Sequence, residues 1–159
     1  MRLLEKLYRS PLGIVMSYAS RILHIFSSPT MIYGFRDPSS KTFRKYTRIS
    51  NTTQIVNKDK LCIDDKVWIW HYSIIDATEG LKIGRGCQIG AWVGIFTHGS
   101  EKSIRLLGED YINIHHSQRK GYTRGEVIIG PYTFIGAQSL IFPGVTIGKG
   151  CLIGANALV

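Results

Sequence analysis

IGPYTFIGAQSLIFPGVTIGKGCLIGANALV, Ile129 to Val159, is the stretch that decides the fold. Ile129, Ile135, Ile141, Ile147, Ile153 and Val159 each stand six residues after the last. Four residues after each Ile comes a small side chain: Thr133, Ser139, Val145, Cys151, Ala157. Glycine follows the Ile at Gly130, Gly136, Gly148 and Gly154. An aliphatic, a turn-permitting residue and a small residue at fixed phase form a hexapeptide repeat, the signature of a parallel β-helix. Three hexads make one triangular coil, so each hexad supplies one short strand and one corner. The aliphatic points inward and stacks on its counterpart one coil above. The glycines are expected to supply backbone freedom that a residue with a Cβ lacks.

The same phase runs backwards. Ile83, Ile89 and Ile95 are six apart, with Cys87, Val93 and Gly99 at the small position. Ile63, Ile69 and Ile75 repeat it with Val67 and Ser73, and Ile49 and Ile55 open the series. Three intervals break the rule: Ile55 to Ile63 and Ile75 to Ile83 are eight residues, and Ile95 to Ile129 is thirty-four. Glu79 and Gly80 are the expected bulge of the second. The third holds a long loop, residues 101–128, far longer than an ordinary connection and of the kind that carries function. His98, in Thr97-His98-Gly99, stands at its base. The expected organisation is an N-terminal helical and basic cap over 1–48, then an all-β parallel β-helix over 49–159 carrying that loop.

The totals bound the rest. At 159 residues one domain is the prior, and 44% hydrophobic content supports a core. Twenty Lys and Arg against eleven Asp and Glu give a formal +9, which suits anionic partners. No Lys/Arg-rich run or nucleic-acid motif accompanies that charge, so nucleic acid is not expected. Cys62, Cys87 and Cys151 have no CxxC pattern, and two of them sit at the small inward position. Buried thiols suit a reducing compartment, so a cytoplasmic location is expected. The N-terminus lacks a compact apolar core followed by a small-residue cleavage site, and no uncharged apolar run reaches the roughly 18 residues that span a bilayer.

Residues 1–35 differ in kind. Leu3, Leu4 and Leu7, then Ile14, Val15, Tyr18, Ile22, Leu23 and Phe26, follow helical spacing, with Pro11 between the two runs. A helical cap or trimer contact is the favoured reading, and a peripheral contact with the inner face of the membrane is the alternative. The basic residues of 36–60 read as a solvated rim. Trp68, Trp70, Tyr72 and Trp92 lie off the inward phase and should face outward. Tyr111 to Ile114 is a candidate short strand within the loop.

Hexads, an interrupting loop and a His at its base resemble the hexapeptide-repeat acyltransferases. The resemblance is to the branch of maltose, galactoside and capsule or lipopolysaccharide O-acetyltransferases, and covers roughly Ile49 to Val159. It implies a left-handed β-helix, a homotrimer, and acetyl-CoA as co-substrate in the groove between neighbouring subunits. It implies that His98 is the catalytic general base, taking the proton of an acceptor hydroxyl as that oxygen attacks the thioester. Such a role needs a pKa near the operating pH, which His has. Backbone N–H groups of a neighbouring coil would meet the oxyanion. Ala137 in IGAQ and Ala155 in IGAN match positions where pantetheine passes close to the backbone, Gly136 adjoins them, and Phe134 stands where many relatives have Trp. His71, with Asp76, is taken as an acceptor-facing candidate one coil before His98.

Relatives usually continue with a Thr-Lys pair and a Pro turn. The sequence stops at Val159, so a truncated form or a weakened grip on CoA is expected. The leading function is therefore O-acetylation of a sugar hydroxyl in capsule, lipopolysaccharide or exopolysaccharide biosynthesis. A non-catalytic trimeric scaffold is the alternative. A zinc carbonic anhydrase on this architecture would need an H-x4-H spacing that His71, His98, His115 and His116 do not offer, so no metal is expected.

Overall fold

The computed structural model describes residues 28–159, with Val15 the one position described before them. The helical readings over 1–27 lie outside the described residues. Strands of two or three residues alternate with corners, as the hexads require. Face one stacks β2 (Phe43–Ser50), β5 (Trp68–Ile69), β8 (Gln88–Ile89), β13 (Phe134–Ile135) and β16 (Leu152–Ile153) in parallel. Face two stacks β3 (Gln54–Val56), β6 (Ile74–Asp76), β9 (Gly94–Ile95) and β14 (Leu140–Ile141). Face three stacks β4 (Leu61–Ile63), β7 (Leu81–Ile83), β12 (Val127–Ile129) and β15 (Thr146–Ile147). The chain visits the faces in rotation, so the domain is a parallel β-helix.

Register turns the repeat into columns. Ile49, Ile69, Ile89, Ile135 and Ile153 are laterally paired on face one. Ile55, Ile75, Ile95 and Ile141 pair on face two, and Ile63, Ile83, Ile129 and Ile147 on face three. Most of these are fully buried and form one core. Burying an Ile side chain is worth about 1.5–3 kcal/mol, so the columns are the main source of stability.

The small inward residues tie coil to coil. Ser73 Oγ donates to the Gly90 carbonyl at 3.0 Å, Thr133 Oγ1 to Gly148 at 2.8 Å and Ser139 Oγ to Gly154 at 2.8 Å. Each hydroxyl also accepts a backbone N–H, from Val93, Cys151 and Ala157 in turn. A buried hydroxyl without such partners would destabilise the fold, so the position takes residues small enough to reach the next corner.

The glycine after each Ile acts differently from expectation. Gly130, Gly136, Gly148 and Gly154 are absent from the positive-φ positions. Where a further coil passes over them they are small for lack of room: a Cβ on Gly90 would stand 2.7 Å from Ala137 N, one on Gly130 2.5 Å from the Gly148 carbonyl carbon, and one on Gly136 would clash with Ala155 N. Gly148 and Gly154, in the last coil, meet no such crowding. The left-handed residue comes two places later, three after the Ile, as in Tyr72 (φ 59°), Trp92 (φ 63°), Tyr132 (φ 60°) and Gln138 (φ 64°).

The corner between faces two and three departs from the rule. Both eight-residue intervals and the long excursion fall at this corner, while Ile141 to Ile147 is a regular six. A 3-10 turn, Lys58–Lys60, fills it in the first coil. In the second, Gly80 (φ 100°) donates its N–H to the Ala77 carbonyl at 3.0 Å. In the third, the chain leaves through β10 (His98–Gly99) and returns through β11 (Thr123–Arg124), paired antiparallel as His98↔Arg124 and Gly99↔Thr123. Gly99 therefore does not hold the small inward position: Val127, two residues before Ile129, is buried there and pairs with Leu81, while Gly99 is half-exposed. The excursion carries helix α1 (Glu101–Leu107) and a 3-10 stretch, Gly108–Asn113, in place of the strand expected at Tyr111 to Ile114.

The described part of the N-terminal cap is not helical. β1 (Met31–Arg36) pairs antiparallel with β2, so residues 31–50 form a hairpin on the edge of face one. The buried Asp37 carboxylate organises its turn, accepting from Ser39, Ser40 and Arg44. Among the described residues no helix is long and apolar enough to cross a membrane.

Candidate functional site

His98 stands where the chain leaves the helix. Its Nδ1 lies 2.8 Å from Asp76 Oδ2. The same oxygen accepts from Thr97 N–H and Thr97 Oγ1, both at 2.9 Å. Asp76 Oδ1 accepts from the Thr78 N–H at 3.0 Å and from the Thr78 hydroxyl. Burial alone would raise the Asp76 carboxyl, but the Thr78 and Thr97 hydrogen bonds outweigh it and hold it below its ordinary value. A carboxylate only accepts, so His98 donates through Nδ1, and the neutral imidazole then carries its lone pair on Nε2, which meets no polar partner among the described residues. The His98 side chain is 33% exposed and that of Asp76 only 4%. One imidazole nitrogen is thus fixed from beneath and the other is left for a reacting proton.

The walls come from the excursion. The Tyr122 ring lies nearly parallel to His98, with centroids 5.9 Å apart and planes at 9°. Arg124 packs over Tyr122, pairs with Glu79 at 3.3 Å and donates to the His116 carbonyl at 2.9 Å. The Glu79 N–H in turn donates to Thr97 Oγ1 at 3.0 Å. The mouth of the loop and the bulge of the preceding coil are therefore one network around His98.

Asp76 is not open to an acceptor: it is 2% exposed and both its oxygens are engaged. His71 is not stacked with His98. It follows Ile69 at the corner between faces one and two, whereas His98 follows Ile95 between faces two and three. His71 Nδ1 is 2.7 Å from Ser50 Oγ, and its ring lies among Trp70 and Tyr72. His115 and His116 sit on the excursion, exposed, with ring centroids 4.1 Å apart. Among the described residues no three His, Cys, Asp or Glu side chains gather as a metal-ligand set.

Phe134, Gly136, Ala137 and Ala155 are brought together at the edge between faces one and two. Phe134 is exposed, and Ala137 and Phe134 line a cavity of about 340 Å³ with Trp68, Trp70, Gly90 and Ala91. Gly136 lies so close to Ala155 that a Cβ there would clash with the Ala155 backbone. Outward aromatics continue the edge: Trp68 and Trp70 rings are 5.1 Å apart, and Tyr72 and Trp92 stack at 4.5 Å. This edge and His98 occupy different corners, so one chain alone does not join them. In the sequence Thr97 stands out only as the neighbour of His98, and no role attaches to Thr78, Tyr122 or Arg124. Thr78 carried a usable signal through the eight-residue interval from Ile75 to Ile83, and Thr97 through its place next to His98 at the start of the thirty-four-residue one.

Residues 126–159 match the family of bacterial transferase hexapeptide (six repeats) proteins. A probable acetyltransferase of Mycobacterium tuberculosis is 30% identical over 105 residues, 65% of this chain and 32% of that protein. A chloramphenicol acetyltransferase of Agrobacterium fabrum is 27% identical over 92 residues, 53% of this chain and 44% of that one. The chain thus spans less than half the length of either relative. Among solved structures, a variant of AntD, an N-acyltransferase from Bacillus cereus, in complex with dTDP-4-amino-4,6-dideoxyglucose and coenzyme A, superposes with a TM-score of 0.53 at 26% identity. That match covers 72% of this chain and 70% of AntD. In fold and in sequence the described β-helix is similar to hexapeptide-repeat transferases, and to acetyl- and acyltransferases among them.

Proposed function

We propose that the protein is an acyltransferase of the left-handed β-helix type that moves an acetyl group from acetyl-CoA to a sugar hydroxyl. The observation that carries this reading is the free Nε2 of His98, its ring held by Asp76 at the mouth of the long excursion. As the acceptor oxygen attacks the thioester carbonyl carbon, His98 Nε2 takes the hydroxyl proton. The tetrahedral oxyanion, met by backbone N–H groups, then collapses, the C–S bond breaks, and the proton passes from His98 to the departing CoA sulfur. Asp76 is a positioning residue that fixes the tautomer and favours the transient imidazolium.

The pantetheine arm of CoA is assigned to the edge of Phe134, Gly136, Ala137 and Ala155, where small residues leave the backbone approachable. The working unit in this reading is a homotrimer, with His98 of one subunit facing the cofactor edge of the next; the separation of that edge and His98 onto different corners supports a site shared between subunits. Support for the chemistry comes from the acetyltransferases and the CoA-bound acyltransferase that the chain resembles. Surface-polysaccharide biosynthesis in the cytoplasm is the process this activity fits. An amino-sugar acceptor is the second reading, favoured by the amino sugar bound to AntD.

Release of free CoA from acetyl-CoA, followed against a panel of sugars and amino sugars, tests the proposal. Turnover with hydroxyl sugars supports it. Turnover with amino sugars alone selects the second reading. A trimer that turns over neither is a scaffold.

A further inference from the structure

The outer surface of face one carries a ladder of which the reaction above uses only Phe134. Register sets Tyr33, Arg48, Trp68, Gln88, Phe134 and Leu152 side by side across β1, β2, β5, β8, β13 and β16. At its N-terminal end is a cavity of about 480 Å³, lined by Tyr33, Lys45, Tyr46, Arg48, Lys66 and Trp68, with Gln88 at its margin. The Arg48 guanidinium lies 3.9 Å from the centre of the Trp68 ring and 5.3 Å from that of Tyr33, and donates to Tyr33 Oη at 3.3 Å. Neither Arg48, Lys45 nor Lys66 has an acidic partner among the described residues. The neighbouring carboxylate, Asp65, does not line the cavity, and its Oδ1 accepts from the N–H groups of Tyr46 and Lys66, each at 2.8 Å. Three cations thus line one cavity: the half-buried Arg48, stacked on Trp68 and beside Tyr33, and the exposed Lys45 and Lys66.

We infer that this cavity is an oxyanion subsite, binding the phosphate or carboxylate of an acidic acceptor sugar. The inference rests on the transfer reaction proposed above and narrows its acceptor class. A guanidinium presents parallel N–H donors that suit the paired oxygens of phosphate or carboxylate, and stacking holds that fork in place before the ligand arrives. Lys45 and Lys66 add charge on either side. The cavity shares Trp68 and Gln88 with the smaller one at Phe134 and Ala137. An acceptor anchored by its anion at Arg48 would extend across Trp68 toward the cofactor edge.

The test measures binding, not transfer. Inorganic pyrophosphate and D-glucuronate are titrated separately by calorimetry and tryptophan fluorescence into the full chain, Arg48→Gln, Lys66→Gln and Arg105→Gln. Circular dichroism confirms that each variant is folded. Saturable binding of pyrophosphate identifies a phosphate-bearing ligand, and binding of glucuronate a carboxylate-bearing one. Arg48→Gln should weaken the bound probe about tenfold or more, Lys66→Gln should weaken it less, and Arg105→Gln on α1 should leave it unchanged. Binding of neither probe, equal loss in Arg48→Gln and Arg105→Gln, or competitive displacement of the probe by CoA overturns the acceptor subsite. No release of CoA in the separate acetyl-CoA assay, with Arg48-dependent binding intact here, overturns the transfer reading instead.

Discussion

Asp76 Oδ2 and His98 Nδ1 lie 2.8 Å apart across twenty-two residues of chain. The contact exists because both residues occupy the one corner where the coil is lengthened. Asp76 ends β6, and His98 opens β10 directly above that bulge. The helix itself therefore fixes the tautomer of the candidate base.

Replacing the base tests the chemistry. His98→Ala should lower kcat by about 10²–10⁴-fold while CoA affinity and melting temperature change little, since a half-exposed side chain is removed. His115→Ala and His116→Ala, on the exposed excursion, should cost far less. Acetyl transfer by His98→Ala at the wild-type rate would transfer the role to another group.

Asp76→Asn should lower kcat with little change in KM, because an amide can donate to Nδ1 and leave the proton on Nε2. Stability should respond to pH as well. The Asp76, Asp37 and Asp65 carboxyls are all held below their ordinary value, against the opposing effect of burial, by hydrogen bonds to their charged forms. A depressed folded pKa contributes stability that is present above the unfolded value of about 3.9 and is lost as pH falls through the folded value. Melting temperature should thus fall steeply below about pH 4, and less steeply in Asp76→Asn. Parallel acid limbs for the two proteins would remove Asp76 from this account.

The core makes a harsher demand. Ile135 is fully buried and Ile147 nearly so, each within an Ile column. Ile135→Asp or Ile147→Asp places an unpaired carboxylate there at a cost of several kcal/mol. Loss of the folded circular dichroism signal is expected, and near-native melting would mean the inward phase is misassigned.

Gly90→Ala tests the close approach between coils. With Ala137 N only 2.7 Å from the new Cβ, overpacking should destabilise by about 1–3 kcal/mol. Gly144→Ala, where a Cβ meets nothing within 4 Å but φ is 84°, should destabilise through backbone strain alone. Chemical denaturation of both variants measures the difference between crowding and strain.

Assembly gives the last prediction. Sedimentation should show a trimer, with Trp92, 57% exposed in the single chain, shielded from quenchers. A monomer at micromolar concentration would leave His98 and the Phe134 edge unjoined.

The Ile columns could be read from the sequence because a period of six survives every coil, and the breaks announced themselves as intervals of eight and thirty-four. The role of the glycines could not, since crowding between coils depends on neighbours eighteen or more residues away: Gly130 meets Gly148. Asp76 was singled out, but for the acceptor side. Pairing it with His98 requires laying the two lengthened corners on each other. His71 shows the converse. Its twenty-seven residues from His98 match no coil length, so the two fall on different corners. The hairpin at residues 31–50 lies before the hexads except for Ile49, and turns on the local chemistry of Asp37, Ser39 and Ser40.

The lengthened corner gives the molecule one adjustable dimension. Two edges of the prism must stay commensurate, because any added residue there would shift an Ile out of its column. At the third, the first two coils already carry surplus chain and the third coil carries a great deal more, yet Ile95 still pairs with Ile141 and Ile83 with Ile129. The entropic cost of a longer loop grows only with the logarithm of its length. Segments exchanged between Gly99 and Thr123 could therefore rewrite what reaches His98 without renegotiating the core, which makes this corner the natural graft point for changing substrate range.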